Sequence, residues 1–494
     1  MESMSKTNVK LRQTMVSFAY LAYIGEGITF NDPNESILNS INKALPQIVL
    51  SENSNETLAD WEVVWGPVAY TVPGGMFQNN MTYIVKKKGT SDYVIALRGT
   101  NFMSQVDWFL EDFEIINTMP WPLNSKPTNP IGQEISESTS IDMNIQINKL
   151  VTVDKNGLGV LDFLNQETDN NPINICVTGH SLGGVLSNTL ALYLLQNPSW
   201  DKSEKSTVSC ISFAAPAAGN EQYAQNAISA FEKAFQKGSF PGWDSDNVKT
   251  NLDNVRCNLD VIPLTPMGKN VYSGDDAGRM FEIYAIKNNP SNNIDFNELD
   301  IVINKEWSLI KSMLLKPVGD KLAKNNYTQL EPTPPIIGTF EGNTNKLSDY
   351  SSFSIAPLLE GFAAQAAWQH SNSYGMYFNV PTLFDPTIIN RNDDASHDIP
   401  YIDSITPDNA HQGFISDKTK VTIKGKNFAK GIYSNFLIFS DPSNPIHYVI
   451  TSVTENEIKA TFDLDDANSK GTQEMFIYHG SPFYKSNAIK FTVA

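Results

Sequence analysis

The sequence predicts an α/β domain built on a mainly parallel sheet, followed by a smaller all-β sandwich. Three observations carry this. Apolar β-branched runs alternate with helical stretches from about residue 61 to residue 286; a polar linker interrupts the chain near residue 390; and short alternating runs with turn residues between them fill the last hundred positions. A chain of 494 residues is also too long for one compact core, so more than one domain is expected.

Composition narrows the partners. A formal charge of −18 argues against nucleic acid, whose phosphates reward a basic surface, and against a basic patch docking on anionic lipid. Cys176, Cys210 and Cys257 each sit in an apolar β-like run without metal-ligand spacing, and read as buried structural thiols. No cofactor or metal is expected.

Taken in order, Met15–Ile24 follows lysines and superficially resembles a signal-peptide core. Two tyrosines and a serine interrupt it and no small-residue cleavage site follows, so an amphipathic first helix is expected. No run approaches the roughly 18 apolar residues of a membrane span. The expectation is a soluble protein, cytoplasmic or exported by a signal-independent route. Strands are expected at Trp61–Trp65, Met81–Val85, Tyr93–Leu97, 173–178, 207–213, 254–259 and 281–286, with helices over 184–196 and 221–235. Lys86–Gly89 reads as a solvated hairpin end.

Residues 287–360 break the rhythm with Asn/Pro-rich loops and the amphipathic run Glu306–Leu315, and read as an insertion. The α/β domain is thus expected over 1–390, a linker over 391–400 and the sandwich over 401–494. Short alternating runs with turn residues between them, at Val421/Ile423, Phe436/Ile438, Ile458/Ala460/Phe462, Phe476/Tyr478 and Ile489/Phe491/Val493, predict six or seven short strands of an antiparallel β-sandwich. Tyr401–Pro407, Val421–Phe428 and the closing Ile489–Val493 resemble the immunoglobulin-like IPT/TIG family.

Chemistry concentrates where one apolar run stops at a serine between glycines. Gly179, Ser181 and Gly183 follow a strand and precede a helix, the form of a nucleophile elbow. That turn lifts one hydroxyl above the sheet, beside the free N–H groups of a helix N-terminus. The string Val177-Thr-Gly-His-Ser-Leu-Gly-Gly184 resembles the class 3 lipase family, a branch of the α/β-hydrolases. Three further matches keep the family's order: Ile95–Thr100 resembles its oxyanion strand, Phe213–Asn220 the strand and turn after the nucleophile helix, and Cys257–Pro263 the acid segment.

The resemblance implies a serine esterase with an α/β-hydrolase fold and the chain order serine, acid, histidine. Asp260 matches the acid. His370, with Tyr374 shortly after, resembles the family's late histidine; His397, folding back from the linker, is the alternative base. His180 adjoins the nucleophile, and adjacent side chains diverge, so it is not the base. The oxyanion donors are expected at Leu182 N–H and, by resemblance, Thr100. Asp107, Trp108, Glu111 and Asp112 read as a polar helix start.

The family's lid position falls on residues 117–131, where Met119, Trp121 and Leu123 are candidate acyl contacts; a packed apolar loop is the competing reading. The expected partner is a lipid or other ester, including one presented at a lipid–water interface. Triacylglycerol lipase, phospholipase A1 and feruloyl-type esterase are not separated. The alternative function is a surface- or carbohydrate-binding protein with a vestigial hydrolase domain.

Overall fold

A computed structural model describes residues 6–24, 33–50, 56–70, 80–98, 117–121, 132–151, 157–169, 171–243, 249–264, 325–330, 335–336, 369–381, 400–410, 418–428, 435–439, 447–463, 471–479 and 484–493. The chain divides into two compact units, residues 1–338 with 370–382, and residues 339–369 with 383–494.

The first unit is organised by a six-stranded sheet. Its strands run in the spatial order Trp61–Tyr70, Asn80–Lys87, Asp92–Arg98, Asn174–His180, Thr207–Phe213, Leu252–Val255. The first three are antiparallel neighbours and the last four pair in parallel. The lysine-rich hairpin end turns at Gly89, whose φ of +74° suits a residue without Cβ. Ile175, Cys176 and Val177 are all buried, because helices cover both faces of the central strands. The four expected strands from 81 to 213 form within two residues of their bounds. The expected strand at 281–286 and the run 306–315 lie outside the described residues.

Two expectations are corrected. The expected strand 254–259 is instead Leu252–Val255, so Asp253 lies inside it, paired with Ile211, and not before its start. The first helix, Lys6–Leu21, is not amphipathic in its second half: from Thr14 to Ile24 every side chain is buried. It packs on the strands 92–98, 174–180 and 207–213, and the helical segment 370–378 meets it on the same face, Gln13 Nε2 donating to Phe378 O at 2.7 Å. A helix enclosed on all sides shows no polar stripe.

Asp253 also explains why that helix tolerates a buried cation. Arg12 Nε and Nη2 donate to its two carboxylate oxygens at 2.6 and 2.9 Å, with side chains 1% and 4% exposed. Removing one partner strands the other charge in the core. Arg12→Leu is expected to cost about 3–5 kcal/mol, read as a lowered denaturant midpoint, with most of the loss recovered in Arg12→Met/Asp253→Leu.

Part of the segment 287–360 pairs with other strands of the first unit. Tyr327–Thr328 pairs with Gly219–Asn220 in a small four-stranded sheet completed by Glu134–Ser136 and Thr118–Pro120. Ile336 bridges to Cys257.

In the second unit, strands 401–406, 418–426, 457–463 and 447–454 form one sheet, and 409–410, 489–493, 471–479 and 435–439 lie in the other. Both contribute to one apolar core, where Phe462 and Phe491 meet edge-on at 5.1 Å. Val421, Ile423, Ile458, Ala460, Phe462, Phe491 and Val493 are buried in it. In strands 435–439 and 471–479, Leu437, Met475 and Ile477 are buried and Phe476 is half-buried. Both strands are apolar on consecutive residues, so alternation alone leaves their phase undetermined.

Candidate active site

The strand Asn174–His180 runs directly into Ser181, which begins the helix Leu182–Gln196 with φ 61° and ψ −129°. A side chain adopts that backbone only when its surroundings enforce it. Here Ser181 N–H donates to Phe213 O at 2.9 Å, and Ser181 O accepts from Gly184 and Val185, which starts the helix. Two glycines permit the bend. A Cβ on Gly179 would stand 2.2 Å from Gly183 O, and one on Gly184 would stand 2.8 Å from Phe213 O. The Leu182 N–H lies at the first helical position, where no intrahelical acceptor exists.

Asp260 sits in the turn beyond the strand Leu252–Val255. Its Oδ2 accepts from His370 Nδ1 and from the Tyr374 hydroxyl, both at 2.8 Å, and its Oδ1 accepts from Ile262 N–H at 3.0 Å. Tyr374 Oη in turn accepts from Cys257 N–H at 3.1 Å. One phenol therefore ties the acid's carboxylate to the backbone at the start of its own turn. Burial, followed by the Asp260 charge, raises the Tyr374 pKa well above the ordinary phenol value, so it remains a donor.

Gln329, in the segment 325–330, braces the same turn. Its Nε2 donates to Ala215 O at 2.6 Å and to Pro263 O at 2.8 Å, joining the loop after strand 207–213 to the acid turn. Asn258 N–H and Ile336 O close it further at 3.0 Å.

His180 occupies the other side of the base. Its Nε2 lies 2.7 Å from His370 O, its ring centroid 4.5 Å from that of His370, and its Nδ1 3.2 Å from Tyr23 Oη. Burial, and then the neighbouring His370, push the His180 pKa well below 6.5 and keep its ring neutral.

Of the residues singled out in sequence, Asp260 and His370 are in direct contact, and Ser181 adjoins the residue that bonds to His370. All three are buried. Met119 is 42% exposed. Trp121 is enclosed in the core, its indole N–H donating to Gln196 at 2.9 Å and its ring edge-on to Tyr223, so packing occupies it and not an acyl chain. Thr100, Leu123, His397 and the acidic residues 107–112 lie outside the described residues. Among the described residues, no group of three or more His, Cys, Asp or Glu could hold a metal ion, and no helix is long and apolar enough to cross a membrane.

Tyr374 had a legible signal: it stands four residues after His370, so a helix places both on one face. His180, Tyr23 and Gln329 had none, because their partners are distant in sequence.

Residues 94–269 match the family model described as lipase (class 3). Among solved structures, the M37 lipase is similar at 28% identity and a TM-score of 0.56, over 78% of this chain and 97% of that one. A lipase from Rhizopus microsporus var. chinensis is similar at 17% identity and TM-score 0.35, over 53% and 71% of the two chains. Lipase II from Rhizopus niveus is similar at 15% and 0.34, over 52% and 74%. No curated protein matches by sequence. The family match spans the serine elbow and the acid-bearing turn, and the M37 likeness supports an α/β-hydrolase fold.

Proposed function

We propose that this chain is a serine carboxylic-ester hydrolase of the triacylglycerol lipase or phospholipase A1 type, working through an acyl-serine intermediate. The observation that carries the reading is the Asp260–His370 contact, tied through His180 to the backbone preceding Ser181. Asp260 accepts the Nδ1 proton of His370, which leaves Nε2 as the nitrogen that exchanges protons. His370 takes the Ser181 proton as the oxygen attacks the ester carbonyl. The tetrahedral oxyanion is received by Leu182 N–H and by Thr100. Collapse breaks the ester C–O bond, and His370 returns the proton to the departing alcohol. Water then attacks the acyl-serine by the same route, releasing the acid.

Met119 and Leu123 are the remaining candidate acyl contacts. A vestigial domain is the weaker reading, because the buried acid–imidazole contact is intact. For the second unit we assign an IPT/TIG-like sandwich, supported by its two sheets around one core.

The test is turnover of a p-nitrophenyl ester series beside triglyceride and phospholipid emulsions. Hydrolysis of the esters and of one emulsion is expected. A folded protein inert toward all of them overturns the reading.

A further inference from the structure

We propose that His180 is a positioning residue for the base, holding His370 by its backbone carbonyl while Asp260 holds its ring. The inference rests on the reading of Ser181, Asp260 and His370 as the catalytic groups.

Strand alternation aims His180 at the face occupied by the first helix and the segment 370–378. Thr178, two residues earlier, already contacts that helix through Met15 O at 3.3 Å. A carbonyl oxygen can only accept, so the 2.7 Å contact from His180 Nε2 to His370 O places the proton on Nε2. In the neutral ring Nδ1 is then an acceptor, and it faces the Tyr23 hydroxyl at 3.2 Å. The single proton of that hydroxyl is shared between Nδ1 and His180 O, which lies 3.0 Å away, so one phenol faces both the imidazole and its own backbone. Tyr20 and Tyr374 enclose the ring edge-on at 5.4 and 5.8 Å.

Two consequences follow for the reaction. The Asp260 contact fixes the tilt of the His370 ring but not the backbone that carries it; the His180 contact fixes that backbone. Because His180 is bonded covalently to Ser181, one hydrogen bond locks the nucleophile's backbone to the base's backbone, and neither shifts without the other. The second consequence concerns charge. Turnover makes His370 transiently cationic, and a neutral His180 lets that charge form 4.5 Å away without repulsion. A donor of fixed positive charge at this position would oppose it.

The test compares His180→Leu, which lacks the donor, with His180→Gln, which retains one, in the full chain. Each is measured by kcat and KM on a p-nitrophenyl ester, by the rate of fluorophosphonate labelling and by thermal midpoint. His180→Leu is expected to lose about 10- to 100-fold in kcat and in labelling rate with KM nearly unchanged, and His180→Gln to recover most of the loss. If both variants lose thermal stability while kcat of the folded protein is unchanged, or if Gln is as slow as Leu, the proposal is overturned. Should His180→Leu fail to fold, Tyr23→Phe and His180→Gln decide. Tyr23→Phe, which frees the ring from its phenol, is expected to lower kcat several-fold at constant KM; wild-type kcat in it overturns the proposal. An unlabelled wild-type protein overturns the catalytic reading itself, whereas a labelled wild type with an unimpaired His180→Leu overturns only the role of His180.

Discussion

Ser181→Ala is expected to lower kcat for any ester substrate by about 10⁴-fold or more, with KM and thermal midpoint close to those of the parent. The size follows from the role: the hydroxyl oxygen forms the new bond, and no neighbouring atom substitutes for it. Retained folding follows from the backbone. Alanine carries the same Cβ as serine, so the φ of 61° costs it the same, and the main-chain bonds from Ser181 to Phe213, Gly184 and Val185 do not involve the side chain. The variant should also lose fluorophosphonate labelling entirely. Labelling that persists at wild-type stoichiometry, or a kcat within tenfold of the parent, would identify a different nucleophile.

Asp260→Asn is expected to lower kcat by about 10⁴-fold at neutral pH. The carboxylate receives three donors: the imidazole Nδ1–H, the Tyr374 hydroxyl and the Ile262 N–H. An amide offers only one oxygen. If that oxygen turns toward Ile262, its NH₂ faces two groups arranged as donors, and the imidazole is driven to the tautomer with its proton on Nε2, where it cannot accept from serine. If the oxygen turns toward His370, the NH₂ opposes Ile262 N–H, leaving a buried donor unsatisfied. Tyr374→Phe removes one of the three and is expected to cost about tenfold in kcat. Measured kcat values in the order wild type, Tyr374→Phe, Asp260→Asn check the assignment; the reverse order for the two variants contradicts it.

What could be read from sequence divides along a physical line. The central strands were legible because burial on both faces writes a continuous apolar run, and the elbow because only glycine fits beside Gly183 O and Phe213 O. The histidine at 370 was reached by its resemblance to a late family histidine and its place after Asp260. The phase of strands 435–439 and 471–479 was not legible, since their apolar residues are consecutive in the sequence. Nor was the enclosure of the first helix. Helical periodicity reports a boundary between oil and water, and a segment surrounded by protein has no such boundary. The braces around the base were hidden for another reason: Gln329, His180 and Tyr23 act through backbone acceptors, which carry no residue identity.

The bond from Gln13 to Phe378 joins positions 365 apart in the chain. On a ribosome the elbow precedes the imidazole proposed to activate it by on the order of ten seconds or more. In the proposed mechanism the nascent serine therefore waits for the partner that would arm it. Competence then depends on the later segment closing over the helix that contains Gln13.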